Sequence, residues 1–125
     1  MSYLIDVLVG RPVAIATLDR LGVQGAAISI ISLGEVFEGA YRAPDPTVRL
    51  ARMRAVFARF GVITLSEPIM EHFAFVRAHL RRAGQLIPNL DLLIASSANQ
   101  HELHLVTRNL RHFDRIPGLS IYRQA

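Results

Sequence analysis

Residues 87–118 read IPNLDLLIASSANQHELHLVTRNLRHFDRIPG, and this stretch decides the fold class of the chain. Asp91 opens an apolar run that predicts a helix over residues 90–101, with Asn89 as a candidate cap. The run LHLVT, residues 103–107, then predicts a strand that ends in polar groups. A helix that begins with an acid, beside a strand that ends in polar groups, indicates a small α/β site.

The rest of the chain shows the same alternation of short strands and helices. Compact β-branched runs predict strands at residues 26–32, 62–65 and 119–122. Further helices are expected at residues 13–21, 32–41, 45–60 and 66–82. Strands separated by helices predict a parallel sheet with helices on both faces. In such sheets the functional crevice lies at the carboxyl ends of the strands.

The composition describes one globular domain of 125 residues, half of them apolar. The chain has no cysteine, which excludes disulfides, thiolate metal sites and cysteine nucleophiles. No apolar stretch reaches the roughly 18 residues of a membrane span, and the start lacks the basic region of a signal peptide. We therefore expect a cytoplasmic protein that does not bind membranes.

The positive charge of the chain comes entirely from arginine. All 14 basic residues are Arg, and they outnumber the acids to give a formal net charge of +4. Arginine binds planar anions such as phosphate and carboxylate through two parallel hydrogen bonds. The excess is compatible with a nucleic-acid or acidic protein partner, and equally with an Arg-rich genome and solvated helix faces.

Asp91 and Glu35 are candidates for a metal site, and each has a structural alternative. Asp91 alone would be favoured in the first turn of a helix by the helix dipole, by about 0.3–1 kcal/mol. Glu35 follows Ser32 with capping-box spacing, which gives it a possible structural role. Glu38 lies one turn on, and two carboxylates on one helix face repel unless a cation or an arginine offsets them. Mg²⁺ or Mn²⁺ would suit such oxygen ligands.

Apart from these acids, no sequence motif indicates a catalytic or metal-binding site. The chain contains no GxGxxG, Walker A or GxSxG sequence, and its histidines lack zinc-binding spacing. We interpret most of the histidines as surface or edge residues. They are His72, His79, His101, His104 and His112.

Four groups of residues along the chain match one family in order and spacing. They are IDVLVGRP at 5–12; AISIISLGE at 27–35 with EGA at 38–40; LRRAG at 80–84 with Ile87 and DLLIA at 91–95; and LVTRNLRHF at 105–113 with IPGL at 116–119. Together they resemble a PIN domain of the VapC type, the toxin ribonuclease of VapBC toxin–antitoxin pairs. Each group is weak alone, but the set in this order is specific.

The resemblance implies an α/β/α sandwich with a central parallel sheet, formed by a single domain over residues 1–125. It also implies a Mg²⁺- or Mn²⁺-dependent endoribonuclease, in which acids hold a cation that activates water and stabilises charge on the scissile phosphate. Glu35 and Asp91 match the family's second and third acids, so the resemblance makes them catalytic metal ligands. Asp6 is a further metal candidate, and Asn109 a group that orients the reactants.

The resemblance also implies partners. It predicts an RNA substrate, a homodimer, and a VapB-like antitoxin that completes a heterotetramer or a larger assembly. The antitoxin would offer an amphipathic helix to an apolar groove and an arginine to the acids.

The chain departs from the family pattern at its start. The family begins with a strand ending in Asp-Thr-Ser or Asp-Thr-Asn and then a helix, whereas here MSYLIDVLVG must serve for both. In one interpretation residues 1–6 are the strand and Asp6 is the first acid. In the other, residues 3–10 are the helix, and the first strand is missing or truncated. The second is favoured locally, because Ser2 is a good helix cap and Gly10 a good stop.

The second departure lies at the fourth acid. The family often has Asp before the Phe of the last motif, where this chain has His112. Asn109 or Asp114 could supply a polar contact instead, but a neutral side chain holds a cation less well than a carboxylate. Two functions therefore stay open: a ribonuclease, impaired as written, and a degenerate PIN domain that only binds the antitoxin or a second copy. A metal-free structural domain is a third alternative.

Overall fold

Strands and helices alternate along the chain, in a computed structural model that describes residues 3–6, 25–107 and 110–121. In these ranges four short strands form one parallel sheet in the order β3-β2-β1-β4. The strands are β1 (Tyr3–Ile5), β2 (Ala27–Ser29), β3 (Gly61–Ile63) and β4 (His104–Val106). The helices are α1 (Ile30–Tyr41), α2 (Pro46–Phe57), α3 (Glu67–Arg82), α4 (Asn89–Gln100) and α5 (Leu110–Phe113). The predicted α/β fold with a parallel sheet is confirmed.

The start of the chain is a strand, so the helix that we favoured over residues 3–10 is wrong in its described part. β1 lies inside the sheet, between β2 and β4, with Leu4 opposite Ala27 on one side and Leu105 on the other. A missing strand here would leave buried backbone groups of both neighbours unpaired. Pairing on both sides therefore outweighs the local capping signal of Ser2. The predicted helix at 13–21 lies outside the described residues.

Helix α1 begins earlier than the capping-box pattern predicts. Its cap is Ser29, the last residue of β2, whose Oγ accepts a hydrogen bond from the Ile31 N–H at 3.1 Å. Ser32 instead lies buried inside the helix, and its Oγ has no hydrogen-bond partner among the described residues. The strand stops at Ser29 because its pairing with β3 ends there, opposite Ile63. Glu35 is therefore not a capping residue, which leaves its side chain available for another role.

The other predicted helix starts are partly confirmed. Asp45 caps α2 through its Oδ1, and Ser66 caps α3 through its Oγ. The cap of α4 is Pro88, not Asn89, whose Oδ1 accepts a hydrogen bond from Arg77 Nε at 2.9 Å instead.

The final strand predicted at 119–122 is reduced in the described residues to a single bridge. Ile121 pairs in parallel with Leu105, and the Leu105 N–H donates to the Ser120 carbonyl at 2.8 Å. The edge of β4 is therefore partly covered by the end of the chain.

Alternate residues of the central strands point to opposite faces of the sheet and enter two separate cores. Leu4 and Ala27 pack in one core, with side chains of α3 and α4 such as Leu80 and Leu92. Ile5 and Ile28 pack in the other core. It is completed by two aromatic residues, Phe57 at the end of α2 and Phe60 in the turn that follows. Helices thus cover both faces, as an α/β/α sandwich requires. In the described part of the chain, no helix is long and apolar enough to cross a membrane.

Candidate active site

Asp6 follows β1 directly and lies at the carboxyl edge of the sheet. Its N–H donates to the Val106 carbonyl at 2.9 Å, and Thr107 Oγ1 donates to its Oδ2 at 2.7 Å. The residue is only 3% exposed. Burial raises the pKa of Asp6 from 3.8 to about 6; the Thr107 hydrogen bond opposes this shift, and the negative charge of Asp91 adds to it. Asp6 is therefore a buried acid, held by β4 and coupled to a second acid.

Glu35 approaches the same edge from helix α1. Its pKa is raised from 4.5 to about 7, first by burial and then by the charges of Asp6, Asp91 and Glu38. Electrostatic repulsion of this kind requires proximity. Side chains from β1, α1 and α4, far apart in sequence, therefore converge in one cleft. Glu38 is exposed and lies at the margin of this cleft.

Asp91 stands in the first turn of α4, where the positive end of the helix dipole favours a carboxylate. His112 Nδ1 lies 2.7 Å from Asp91 Oδ2. The side chain of Asp91 is 14% exposed and that of His112 is 31% exposed. The contact brings α5 against the start of α4, so the last motif of the chain closes one side of the cleft.

A groove of about 290 Å³ runs beside the acids. It has apolar walls and an acidic side, since Ile30, Ile31 and Leu90 line it together with Gly34, Glu35 and Glu38. Two of the apolar residues, Ile30 and Leu90, are well exposed. The cleft is thus open to a ligand that offers both an apolar surface and positive charge.

The donor set fits a hard divalent cation. Asp6, Glu35 and Asp91 present carboxylate oxygens, which Mg²⁺ and Mn²⁺ prefer. Burial, and then the charges of neighbouring acids, raise the pKa values of Asp6 and Glu35, and a bound cation would offset both effects. In the described ranges, no three His, Asp or Glu side chains stand in a complete metal-binding arrangement. Ligation by all three acids would therefore need side-chain adjustment.

The predicted site residues fall into three groups. The structure brings Asp6, Glu35 and Asp91 together, whereas Asn109 lies outside the described residues. Asp114, the weaker substitute for the fourth acid, is exposed on the turn after α5. Two contacts of the site were not predicted from the sequence: Thr107 with Asp6, and His112 with Asp91. The only available signal was the position of both donors in the motif after β4.

The other histidines take no part in this cleft. His79, His101 and His104 are exposed, as predicted. His72 is half-buried on α3; burial lowers its pKa, and its Nε2 lies 3.3 Å from Asn99 Nδ2.

The chain is similar in sequence to known proteins. The PIN domain family matches residues 2–119. The tRNA(fMet)-specific endonuclease VapC of Salmonella typhimurium is 33% identical over 111 residues, which cover 89% of this chain and 84% of that protein. The chain therefore belongs to the PIN domain family and, within it, to the VapC ribonucleases.

Solved structures of VapBC complexes have the same fold. A chain of DNA-bound VapBC from Salmonella typhimurium matches with a TM-score of 0.86 and 30% identity, over 98% of this chain and 97% of that one. A chain of VapBC2 from Rickettsia felis, bound to a promoter DNA fragment, matches with a TM-score of 0.83 and 26% identity over the full length of both.

Proposed function

We propose that this chain is a VapC-type toxin, an endoribonuclease that hydrolyses RNA phosphodiester bonds with the help of Mg²⁺ or Mn²⁺. The observation that carries the proposal is the convergence of Asp6, Glu35 and Asp91 in one cleft. Kinship with the Salmonella endonuclease supports the class of reaction. The position of Asp6 supports an active enzyme over a degenerate binding module. Asp6 is buried at the carboxyl edge of the sheet, near Glu35 and Asp91, where a first catalytic acid would be needed.

Each acid would hold the cation from a different element. Asp6 directly follows β1 and Asp91 lies in α4, and one oxygen of each contacts a neighbour in the last motif. Glu35 comes from α1, and burial together with the neighbouring carboxylates raises its pKa to about 7. A bound cation would supply Lewis acidity, which polarises the phosphate and makes a water molecule more acidic. The role of Asn109 stays a prediction.

The proposed partners are inferred from the similarity to VapBC proteins and from the groove beside Glu35. The Salmonella and Rickettsia structures are complexes of the VapBC type. We propose a VapB-like antitoxin for this chain, bound to the exposed apolar residues Ile30 and Leu90 with a basic side chain near Glu35. A homodimer, a heterotetramer or larger assembly with the antitoxin, and a cytoplasmic location complete the proposal.

The test is RNA cleavage by antitoxin-free protein with Mn²⁺, compared with and without a chelator. Asp91→Asn keeps the size of the side chain and removes its charge. We expect it to reduce the cleavage rate about 100-fold or more, because a metal ligand contributes several kcal/mol to the transition state. Arg52→Ala, on the exposed face of α2, serves as the matched control. Unchanged cleavage by Asp91→Asn would refute the metal-site assignment. Absence of cleavage by the unmodified protein would favour the degenerate module.

A further inference from the structure

His112 occupies the position where the family often carries an acid, yet its contact in the structure is with another site residue. Its Nδ1 lies 2.7 Å from Asp91 Oδ2. A carboxylate that ligates a cation can only accept hydrogen bonds, so in a metal site His112 Nδ1 would carry the hydrogen of this contact. The side chain therefore presents a donor to Asp91.

The position of His112 is fixed by its own helix. Phe113, the next residue, is fully buried in the core that contains α4, and Ile116 is buried in the same core. These two anchors hold the four-residue helix α5 against α4. Only a small range of His112 side-chain positions is then compatible with the short contact to Asp91. A contact built in this way orients the carboxylate.

We propose that His112 is a positioning residue for the metal site: its Nδ1–H fixes the Asp91 carboxylate for ligation, and His112 does not itself ligate the cation. The inference rests on the proposed metal site, and it replaces the expectation that His112 is a weak substitute for a fourth acid. General metal-site chemistry supports it, since ligating carboxylates are commonly held by hydrogen-bond donors behind them.

The charge of the cleft explains why a donor is useful at this position. Three acids already share the cleft, and their mutual repulsion contributes to the raised pKa values of Asp6 and Glu35. A fourth carboxylate would add to that repulsion, whereas a histidine orients Asp91 without adding negative charge. Thr107 has the same relation to Asp6, at 2.7 Å. Among the described residues of the motif after β4, Thr107 thus contacts Asp6 and His112 contacts Asp91.

Substitutions of His112 separate a donor role from a packing role. Asn places its Nδ2 as many bonds from the backbone as the histidine Nδ1, Gln places its amide one bond further, and Phe keeps a ring without a donor. We expect Ala, Phe and Gln at this position to weaken Mn²⁺ binding about 10- to 100-fold, as loss of an outer-shell partner usually does. His112→Asn should restore most of the affinity. Arg111→Ala, an exposed neighbour on α5, is the matched control.

The readouts are calorimetric Mn²⁺ affinity of the protein without RNA, and electron spin echo spectra of bound Mn²⁺. Of the four variants, we expect only His112→Asn to keep most of the Mn²⁺ affinity. We also expect the spectra of the unmodified protein and of His112→Asn to show the same ¹⁴N couplings. Loss of such a coupling would show that His112 is a ligand, and equal affinities for the unmodified protein and His112→Phe would show that the donor is unimportant. Either result overturns the inference while the metal site stands. Failure of the unmodified protein to bind Mn²⁺ overturns the metal site, and the inference with it.

Discussion

Asp6 and Glu35 reach one cleft from two different surroundings, and the contrast between them explains how the site is held. Asp6 ends a central strand, is almost fully buried and accepts a hydrogen bond from Thr107; its pKa rises to about 6. Glu35 is only half-buried on a helix, yet its pKa rises to about 7, and in the described ranges no hydrogen bond opposes that shift. A donor thus opposes the pKa shift of the more buried acid, whereas burial and then the charges of three neighbouring carboxylates all raise the pKa of Glu35.

The largest expected effect is on cleavage of RNA. Asp6→Asn and Glu35→Gln should each reduce the Mn²⁺-dependent rate about 100-fold or more, because each removes a proposed ligand. Single-turnover assays of both variants on one RNA would measure this. Glu38→Gln is the matched control, since Glu38 is exposed at the margin of the cleft. If Asp6→Asn cleaved as fast as the control, the amino-terminal acid would not belong to the site.

The second effect is on the pH dependence of stability without metal. Both pKa values are raised in the folded protein, so the folded state binds more protons than the unfolded state between pH about 4 and 7. The free energy of unfolding should therefore fall by about 2 kcal/mol as pH rises through this window. Solvent screens the half-buried Glu35, so its contribution is smaller than its pKa shift alone would give.

Chemical denaturation at pH 5 and pH 7.5, with a chelator present, measures that difference. Glu35→Gln should flatten the profile, and Mn²⁺ should stabilise the protein more at pH 7.5 than at pH 5, since ligands bind metal in their deprotonated form. A metal-free protein more stable at pH 7.5 would contradict the assigned pKa shifts.

The third effect is specific to Asp6. Thr107→Val keeps the shape of the side chain and removes the donor to Asp6 Oδ2. The pKa of Asp6 should then rise further, and Mn²⁺ affinity should fall about tenfold or more, as for other outer-shell partners. Titration of the Asp6 carboxyl by carbon-detected NMR would follow the shift directly. Thr47→Val, on α2, provides the same substitution away from the cleft. An unchanged or lower pKa in Thr107→Val would contradict the role assigned to the donor.

The smallest effect concerns the helix that carries Glu35. Ser29→Ala removes the cap of α1 and should destabilise the protein by about 1 kcal/mol. Ser32→Ala removes a buried hydroxyl that lacks a partner in the described residues, so it should be neutral or slightly stabilising. Denaturation midpoints of the two variants give the comparison. If Ser32→Ala were more destabilising than Ser29→Ala, Ser32 would be the cap of α1, and Glu35 would be its capping-box partner.

The sequence predicted those parts of the fold that depend on local pattern. The caps Asp45 and Ser66 were identified correctly, because a polar residue before a helical run satisfies that helix by itself. The segment before Asp6 was misjudged, because its strand is stabilised by β2 and β4, which lie far away in sequence. For the same reason the individual acids of the site could be predicted from the sequence, whereas their contacts with Thr107 and His112 could not.

The choice between Ser29 and Ser32 shows the same limit at shorter range. Both residues precede helical sequence, and only Ser32 has an acid three positions on. The end of strand pairing with β3 decides in favour of Ser29. The position at which α1 begins thus depends on strand pairing, which the spacing of residues does not show.

The most direct test of the account is the location of Mn²⁺ in crystals of the protein, from anomalous scattering at the manganese edge. We expect one strong peak in contact with the carboxylates of Asp6, Glu35 and Asp91, and we expect it to be lost in crystals of Asp91→Asn. His112 should lie outside bonding distance of the metal. A peak elsewhere, or no peak at saturating Mn²⁺, would contradict the claim that these three acids form a single metal site.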